Sequence, residues 1–307
     1  MYEQAKRIGG WFLASLLIVF GFVKRRREKL LNEECILSLC FHHPSKKQFE
    51  QCIKWLKKYG FHFLSATDVE KIIQYNLPFP KGGVVMTLDD GWQSNETDVI
   101  EVANAYGVPV TIFVSTEPVE EGTYWFSYVN KAKQLGVKHP PKQTLKKWPN
   151  EKRLLMLDEI KKVVSLKREA MTVDQIRKAA ESPWVTLGAH THTHPILINC
   201  NDRQVYEELQ VSKQKMEEWI GKEVRYFAYP NGDYSSREVE TLKSLNYGLA
   251  FTTKKQYLVP ASLKRKYELP RFMLLEEATF AENICRMLGI WNSMTHSFKR
   301  VLSQNKK

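Results

Sequence analysis

The order in which short apolar runs and helical stretches follow one another limits the fold of this chain more than any other feature. CILSLCF at 35–41 reads as a buried strand, and QFEQCIKWLKKYG after it as a helix, because Phe49, Cys52, Ile53, Leu56 and Tyr59 recur at helical spacing and Gly60 stops the run. FHFLS is a second strand, TDVEKIIQY a helix capped at Thr67 or Asp68, and GGVVMTL a third strand that runs into Asp89 and Asp90. The alternation continues through a helix over 96–106, strand VPVTIFVS at 108–115, helices over 151–166 and 172–181, and strand VTLGAH. A long helix over 202–220 leads to strand VRYFAYP, a helix over 235–245, strand YGLAFT and a short strand in LPRFML. Strands alternating with helices assemble as parallel βα units, and about seven of them predict an α/β chain closed into a distorted (β/α) barrel. No linker, internal repeat or low-complexity segment divides the 307 residues, so one main domain with terminal extensions is expected.

In such barrels catalytic side chains leave the C-terminal ends of the strands. Three polar clusters fall there: Asp89 and Asp90 after one strand, His190, His192 and His194 after another, and Tyr229, Pro230 and Asn231 after a third. A catalytic metal site takes three imidazole or carboxylate ligands and keeps a position open. One aspartate and two histidines would supply that set, and water in the open position would lose its proton more readily. The second aspartate is then free to act as general base. Asp-Asp-Gly alone is ordinarily a turn; the histidine cluster at another strand end turns it into a candidate site. On a fully extended strand all three histidines share a face, so the sequence does not choose among them.

VVMTLDDGW, VPVTIFVST, TLGAHTHTHPIL and FAYPNGDYS resemble, in order, the motifs of the polysaccharide deacetylases, the NodB-like carbohydrate esterase family 4. The likeness spans roughly residues 35 to 275. It implies a distorted (β/α) barrel, a divalent metal, zinc first with cobalt or nickel as alternatives, and hydrolysis of N-acetyl or sometimes O-acetyl groups on sugars. Carried over motif by motif, it implies Asp89 as general base, Asp90, His190 and His194 as metal ligands, His192 as a neighbour, and Thr191 as a residue that orders the loop. A backbone N–H near Asn231 would face the tetrahedral oxyanion, where charge develops only in the transition state. Tyr229, Pro230 and Trp92 are expected at the substrate, with Trp125 and Phe126 as further stacking candidates; core packing is the alternative for the aromatics.

The chain departs from the family pattern in two respects. Ala228 and Asn231 stand where many members carry an arginine that orients the base and a tyrosine; Arg271 could take that arginine's place beside Asp89, a structural salt bridge being the other reading. No histidine lies near LPRFML, where many members place the general acid, and His42 or His43 after the first strand could serve instead of being merely structural or exposed.

The formal charge of +12, concentrated at the two ends, favours anionic partners such as membrane surfaces or acidic glycans. Without zinc-finger spacing or an aromatic and basic RNA-binding motif, no nucleic acid partner is expected. Five cysteines without a CxxC pair suit a reducing compartment. Residues 1–30 are expected to be a membrane-associating segment: GGWFLASLLIVFGFV carries no charge, though it is shorter than the roughly 20 residues of a span, and KRRREK follows it. The basic flank places the downstream domain on the cytoplasmic face by the positive-inside rule. Residues 31–275 form the catalytic domain; 276–307 form a basic amphipathic helix and tail, expected to cap the domain, with a membrane-surface helix as alternative. The expected activity is metal-dependent removal of N-acetyl groups from a polysaccharide or lipid-linked glycan, with acetate released. An O-acetyl esterase and a noncatalytic glycan-binding relative are the alternatives.

Overall fold

Eight parallel strands are described: β1 (Ile36–Phe41), β2 (His62–Leu64), β3 (Gly83–Leu88), β4 (Val110–Val114), β5 (Val185–Ala189), β6 (Tyr226–Ala228), β7 (Leu249–Phe251) and β8 (Phe272–Met273). The structure, a computed structural model, describes residues 2–291, with side chains from Ile8 onward. The strands run β7-β6-β5-β4-β3-β1-β8 across one sheet. β1 pairs with the whole of β3, so β2 and β4 share the other edge: β2 takes Gly83–Val85 and β4 takes Met86–Leu88. The edges of the sheet meet at Leu269, whose N–H donates to the Ala250 carbonyl at 2.9 Å and whose carbonyl accepts from Thr252 at 2.8 Å. Phe272, just beyond, pairs with Leu39 of β1, and the ring closes as the distorted (β/α) barrel that the alternation predicts.

Two apolar clusters divide each strand by alternate residues, as the period of two requires. Ile36, Val85, Phe113, Tyr226, Ala228, Leu249, Phe251 and Leu269 fill the lumen. Leu37, Leu39, Val84, Met86, Ile112, Leu187, Phe227, Tyr229 and Ala250 point outward to the helices. The helix expected over 96–106 opens with a π-helical turn, Glu96–Ile100, and the one expected from Thr67 or Asp68 starts at Ala66, where Ser65 caps it. Helices Thr116–Glu121, Trp125–Gln134 and Lys142–Leu145 were not apparent from the periodicity. With Asn150–Val163 they fill the connection between β4 and β5, and Trp125, Val129, Leu145, Leu157 and Ile160 give it a small core of its own.

The N-terminal segment forms a bent pair of helices. The uncharged run is broken: helix Tyr2–Val19 ends at Gly21, which has a left-handed φ of 77°, and helix Phe22–Asn32 leaves at 66° to it. No single helix among the described residues is long and apolar enough to cross a membrane, although this bent pair taken together meets that measure by length and composition. Ala14 and Leu17 are buried, and Gly10 lies so close to Glu282 that a Cβ there would clash with its carboxylate, so the first helix packs against Phe280–Met287. That last helix buries Ile284, Cys285 and Met287 and caps the domain; the remainder of the expected C-terminal helix and tail, 292–307, lies outside the described residues. All five cysteines are buried and unpaired.

Gly188 stands in the lumen wall two residues before His190. A Cβ there would stand 2.6 Å from the Phe113 ring and 2.8 Å from the Tyr226 carbonyl, and the latter is backbone of the neighbouring strand. Gly188→Ala is therefore expected to destabilise the protein by roughly 1–3 kcal/mol, read as a lowered urea midpoint with an unchanged slope.

Candidate active site

Asp89 continues the inward parity of Val85 and Thr87 one step past β3, its N–H still bonded to the Phe41 carbonyl at 3.0 Å. Arg271 meets it across the lumen in a two-pronged pair, Nη1 to Oδ1 at 2.7 Å and Nη2 to Oδ2 at 2.8 Å. The guanidinium is fully buried; Nη1 also donates to Thr87 Oγ1 at 2.9 Å and Nε to the Thr252 carbonyl at 3.0 Å. Burial pushes the Asp89 carboxyl up, but the charge of Arg271, then of His190, outweighs it and holds the group below its ordinary value.

Asp90 escapes the strand alternation because its φ is 76°, a left-handed value uncommon outside glycine, and Gly91 follows at 85°. The turn brings Asp90 Oδ1 to 3.5 Å from His190 Nε2 and 3.2 Å from His194 Nε2. The Trp92 indole N–H donates to the other oxygen, Oδ2, at 2.9 Å. His190 keeps the inward parity of Gly188, and its Nδ1 lies 2.7 Å from the Ala228 carbonyl. A carbonyl only accepts, so Nδ1 carries a hydrogen, and in the neutral ring Nε2 presents a lone pair. One ligand atom from each of Asp90, His190 and His194 lies within 4.8 Å of the others. Such a carboxylate and two imidazoles, buried and held from behind, fit a divalent ion with an open coordination position. Burial pushes the His194 imidazole down despite Asp90, which suits a neutral ligand; in His190 the nearby carboxylates outweigh burial and raise it.

The choice among the three histidines follows from where the strand stops. β5 ends at Ala189, and left-handed φ values at Thr191, 68°, and His194, 52°, curl the chain so that the two-residue alternation no longer holds. His192 turns away, with Nδ1 2.8 Å from Thr116 Oγ1. Glu208, in the middle of helix Asp202–Ile220, fastens the loop by accepting from the His192 and Thr193 N–H groups, both at 2.8 Å, and from the Thr193 hydroxyl at 2.6 Å. Thr191 donates to the His190 carbonyl. Glu208 carries no motif signal, and nothing in the sequence marked it.

A cavity of about 450 Å³ opens over these groups, lined among others by His42, Asp89, Asp90, Trp92, Phe126, His190, His194 and Asn231. Asn231 sits at its edge with a φ of 61°, its side chain bonded to Lys146. His42 is half-buried at the rim, its Nδ1 3.9 Å from Glu276, which also accepts from the His42 and His43 N–H groups. His43 is exposed and packs on Trp92. Tyr229 and Pro230 do not line the cavity. Tyr229 has the outward parity of Phe227, is wholly buried, and donates its hydroxyl to the Tyr267 carbonyl at 3.0 Å, while Pro230 is buried in the turn. Both are structural, which corrects the expectation that they touch substrate. Trp125 lines the cavity, and its indole N–H donates to the His194 carbonyl at 2.9 Å, so that it also supports a candidate ligand. Trp92 reaches the cavity but its polar atom is committed to Asp90.

A family model described as "Polysaccharide deacetylase" matches residues 76–250, more than half of the chain. The chain belongs to the polysaccharide deacetylase family. It is 24% identical over 256 residues to the poly-β-1,6-N-acetyl-D-glucosamine N-deacetylase of Escherichia coli, a match covering 74% of this chain and 33% of that one. The chain thus spans about a third of that relative's length, and 58% of the length of YxkH of Bacillus subtilis, to which it is 21% identical over 208 residues. Among solved structures, IcaB from Ammonifex degensii aligns with a TM-score of 0.61 at 18% identity, covering 83% of this chain and 97% of that one. The Streptococcus pyogenes deacetylase PplD, solved with acetate, aligns at 0.59 and 19% identity with the same coverage. These similarities establish the shared deacetylase barrel fold.

The geometry separates the histidines experimentally. His190→Ala is expected to lower zinc affinity at least about tenfold, whereas His192→Ala retains the ion, as measured by metal analysis after dialysis against buffered zinc. Equal loss in both variants would reject the ligand assignment. Tyr229→Phe is expected to cost about 1 kcal/mol of stability and leave KM for an acetylated sugar unchanged.

Proposed function

We propose that the protein is a metal-dependent carbohydrate deacetylase that hydrolyses N-acetyl groups of a polysaccharide or lipid-linked glycan, releases acetate and leaves a free amine on the sugar. One observation carries the reading: an Asp-His-His donor set and a second, arginine-clamped aspartate face the same open cavity. Asp90, His190 and His194 would hold the ion, zinc first, with cobalt and nickel compatible with the same donors. A divalent ion there supplies Lewis acidity, acidifying a water and polarising the acyl carbonyl.

The remaining work falls to the chain. Asp89, kept ionised and oriented by Arg271, takes the proton as water oxygen bonds to the acyl carbon. The Asn231 backbone N–H, at the cavity edge, is the donor for the developing oxyanion. When the carbon–nitrogen bond breaks, the nitrogen needs a proton; His42 and His43 both line the cavity, and His42, half-buried and with its ring beside Glu276, is the one placed to give it. Phe126 offers an apolar wall to the sugar ring. An O-acetyl ester has a better leaving group and does not need this acid, so His42 in the cavity favours the N-acetyl substrate. The N-acetylglucosamine polymer named for the E. coli relative supports the same substrate class.

Acetate release from N-acetyl and O-acetyl oligosaccharides, with and without chelator, tests the proposal. Asp89→Asn is expected to lower kcat by about 10²–10⁴-fold while the metal content stays intact. His42→Asn is expected to slow release from the N-acetyl substrate far more than from the O-acetyl one. No chelator-sensitive acetate from any acetylated sugar by the zinc-loaded protein would overturn the proposal.

A further inference from the structure

We propose that the bent N-terminal helix pair docks the protein on an anionic lipid bilayer by lying in the plane of its surface, not by crossing it. Helix Tyr2–Val19 has two faces. Gly10, Ala14 and Leu17, at helical spacing, turn toward the capping helix Phe280–Met287. Ile8, Trp11, Phe12 and Val19 lie on the opposite side, 60%, 50%, 58% and 79% exposed. Phe20 and Phe22 extend this surface around the bend. The hydroxyl on that face, Ser15, is satisfied within the helix, donating to the Trp11 carbonyl at 2.8 Å. Elsewhere among the described residues the exposed large apolar side chains are scattered along the chain. A contiguous apolar surface of this kind marks an interaction site.

The adjoining charge identifies the occupant. Arg25 and Lys29 follow Phe22 at helical spacing on its exposed side, and Lys24 is exposed beside them. A basic rim along an apolar helix face is the pattern of helices that sit at the headgroup boundary of anionic membranes. Two facts oppose a span. The 66° break at Gly21 divides the uncharged run into pieces shorter than the roughly 20 residues a bilayer requires. Standing the first helix upright in lipid would also strip Ala14 and Leu17 from the domain that buries them. The basic block then serves attraction to headgroups in place of the topological role expected from the sequence. A second copy of the chain is a poorer occupant, because a self-complementary contact would bring the same cationic rims together.

The full-length protein, mixed with preformed vesicles of phosphatidylcholine alone or with phosphatidylglycerol, tests this by flotation. Binding is expected without detergent and at least about tenfold stronger on the anionic vesicles, and weakened by added salt. Phe12→Ser with Phe20→Ser should abolish it, and Arg25→Glu with Lys29→Glu should remove the preference for anionic lipid, both with thermal unfolding unchanged. The native cysteines are buried, so Val19→Cys can carry a polarity-sensitive dye; quenching by nitroxides near the headgroup, stronger than by those at the acyl chain end, is the in-plane result. Failure to bind either vesicle, stronger quenching from the bilayer centre, or dimerisation abolished by the same serine pair would each overturn the proposal.

Discussion

The ion pair between Arg271 and Asp89 governs the geometry around it. Removing two charges from water costs several kcal/mol per ion, and a buried pair recovers this only when its remaining donors and acceptors are also satisfied. Here Arg271 has partners on every side: both carboxylate oxygens of Asp89, the Thr87 hydroxyl and the Thr252 carbonyl. The pair also ties chain closure to chemistry. Leu269, two residues before Arg271, makes the bridge by which β7 meets the final strand. The segment that closes the ring therefore delivers the cation to the end of β3. What the barrel gains from so expensive an arrangement is a carboxylate that stays ionised while buried, and that holds one orientation beside Asp90.

Much of the fold and the site was legible because both depend on periodicity. Alternate residues in the strands separate into lumen and outer core, and three strand ends carry clustered polar residues; those two facts pointed to the barrel, to Asp89 and Asp90 and to the histidine cluster, while the choice of His190 and His194 within the cluster came from the family motif. The same alternation, applied one residue further, would have placed Tyr229 outward with Phe227 and withheld it from the substrate. His194 was beyond periodicity, since its position depends on the left-handed turn at Thr191, which a β-branched residue rarely adopts and no pattern announces. Glu208 was silent for another reason: a glutamate on a long amphipathic helix looks like solvated surface until the loop it holds is seen packed on it. In the N-terminal segment hydropathy alone did not reveal the break at Gly21 or which face packs on the domain.

The two departures from the family pattern have one explanation in the barrel's topology. Ala228, at the end of β6, and Arg271, just before β8, both face the lumen, so a guanidinium could reach Asp89 from either side. Ala228 keeps a function of its own, since its carbonyl fixes the tautomer of His190. The proposed proton donor, His42, follows the same logic. β1 and β8 are hydrogen-bonded neighbours, with Leu39 beside Phe272 and Cys40 beside Met273, so a side chain leaving the end of β1 reaches the rim where one leaving β8 would. His42 follows β1 and meets Glu276, which follows β8. In a closed parallel barrel the first and last strands are adjacent in space though distant in sequence. A residue moved from one to the other would change its place in the chain while keeping its place at the cavity, which is what the proposed role of His42 requires.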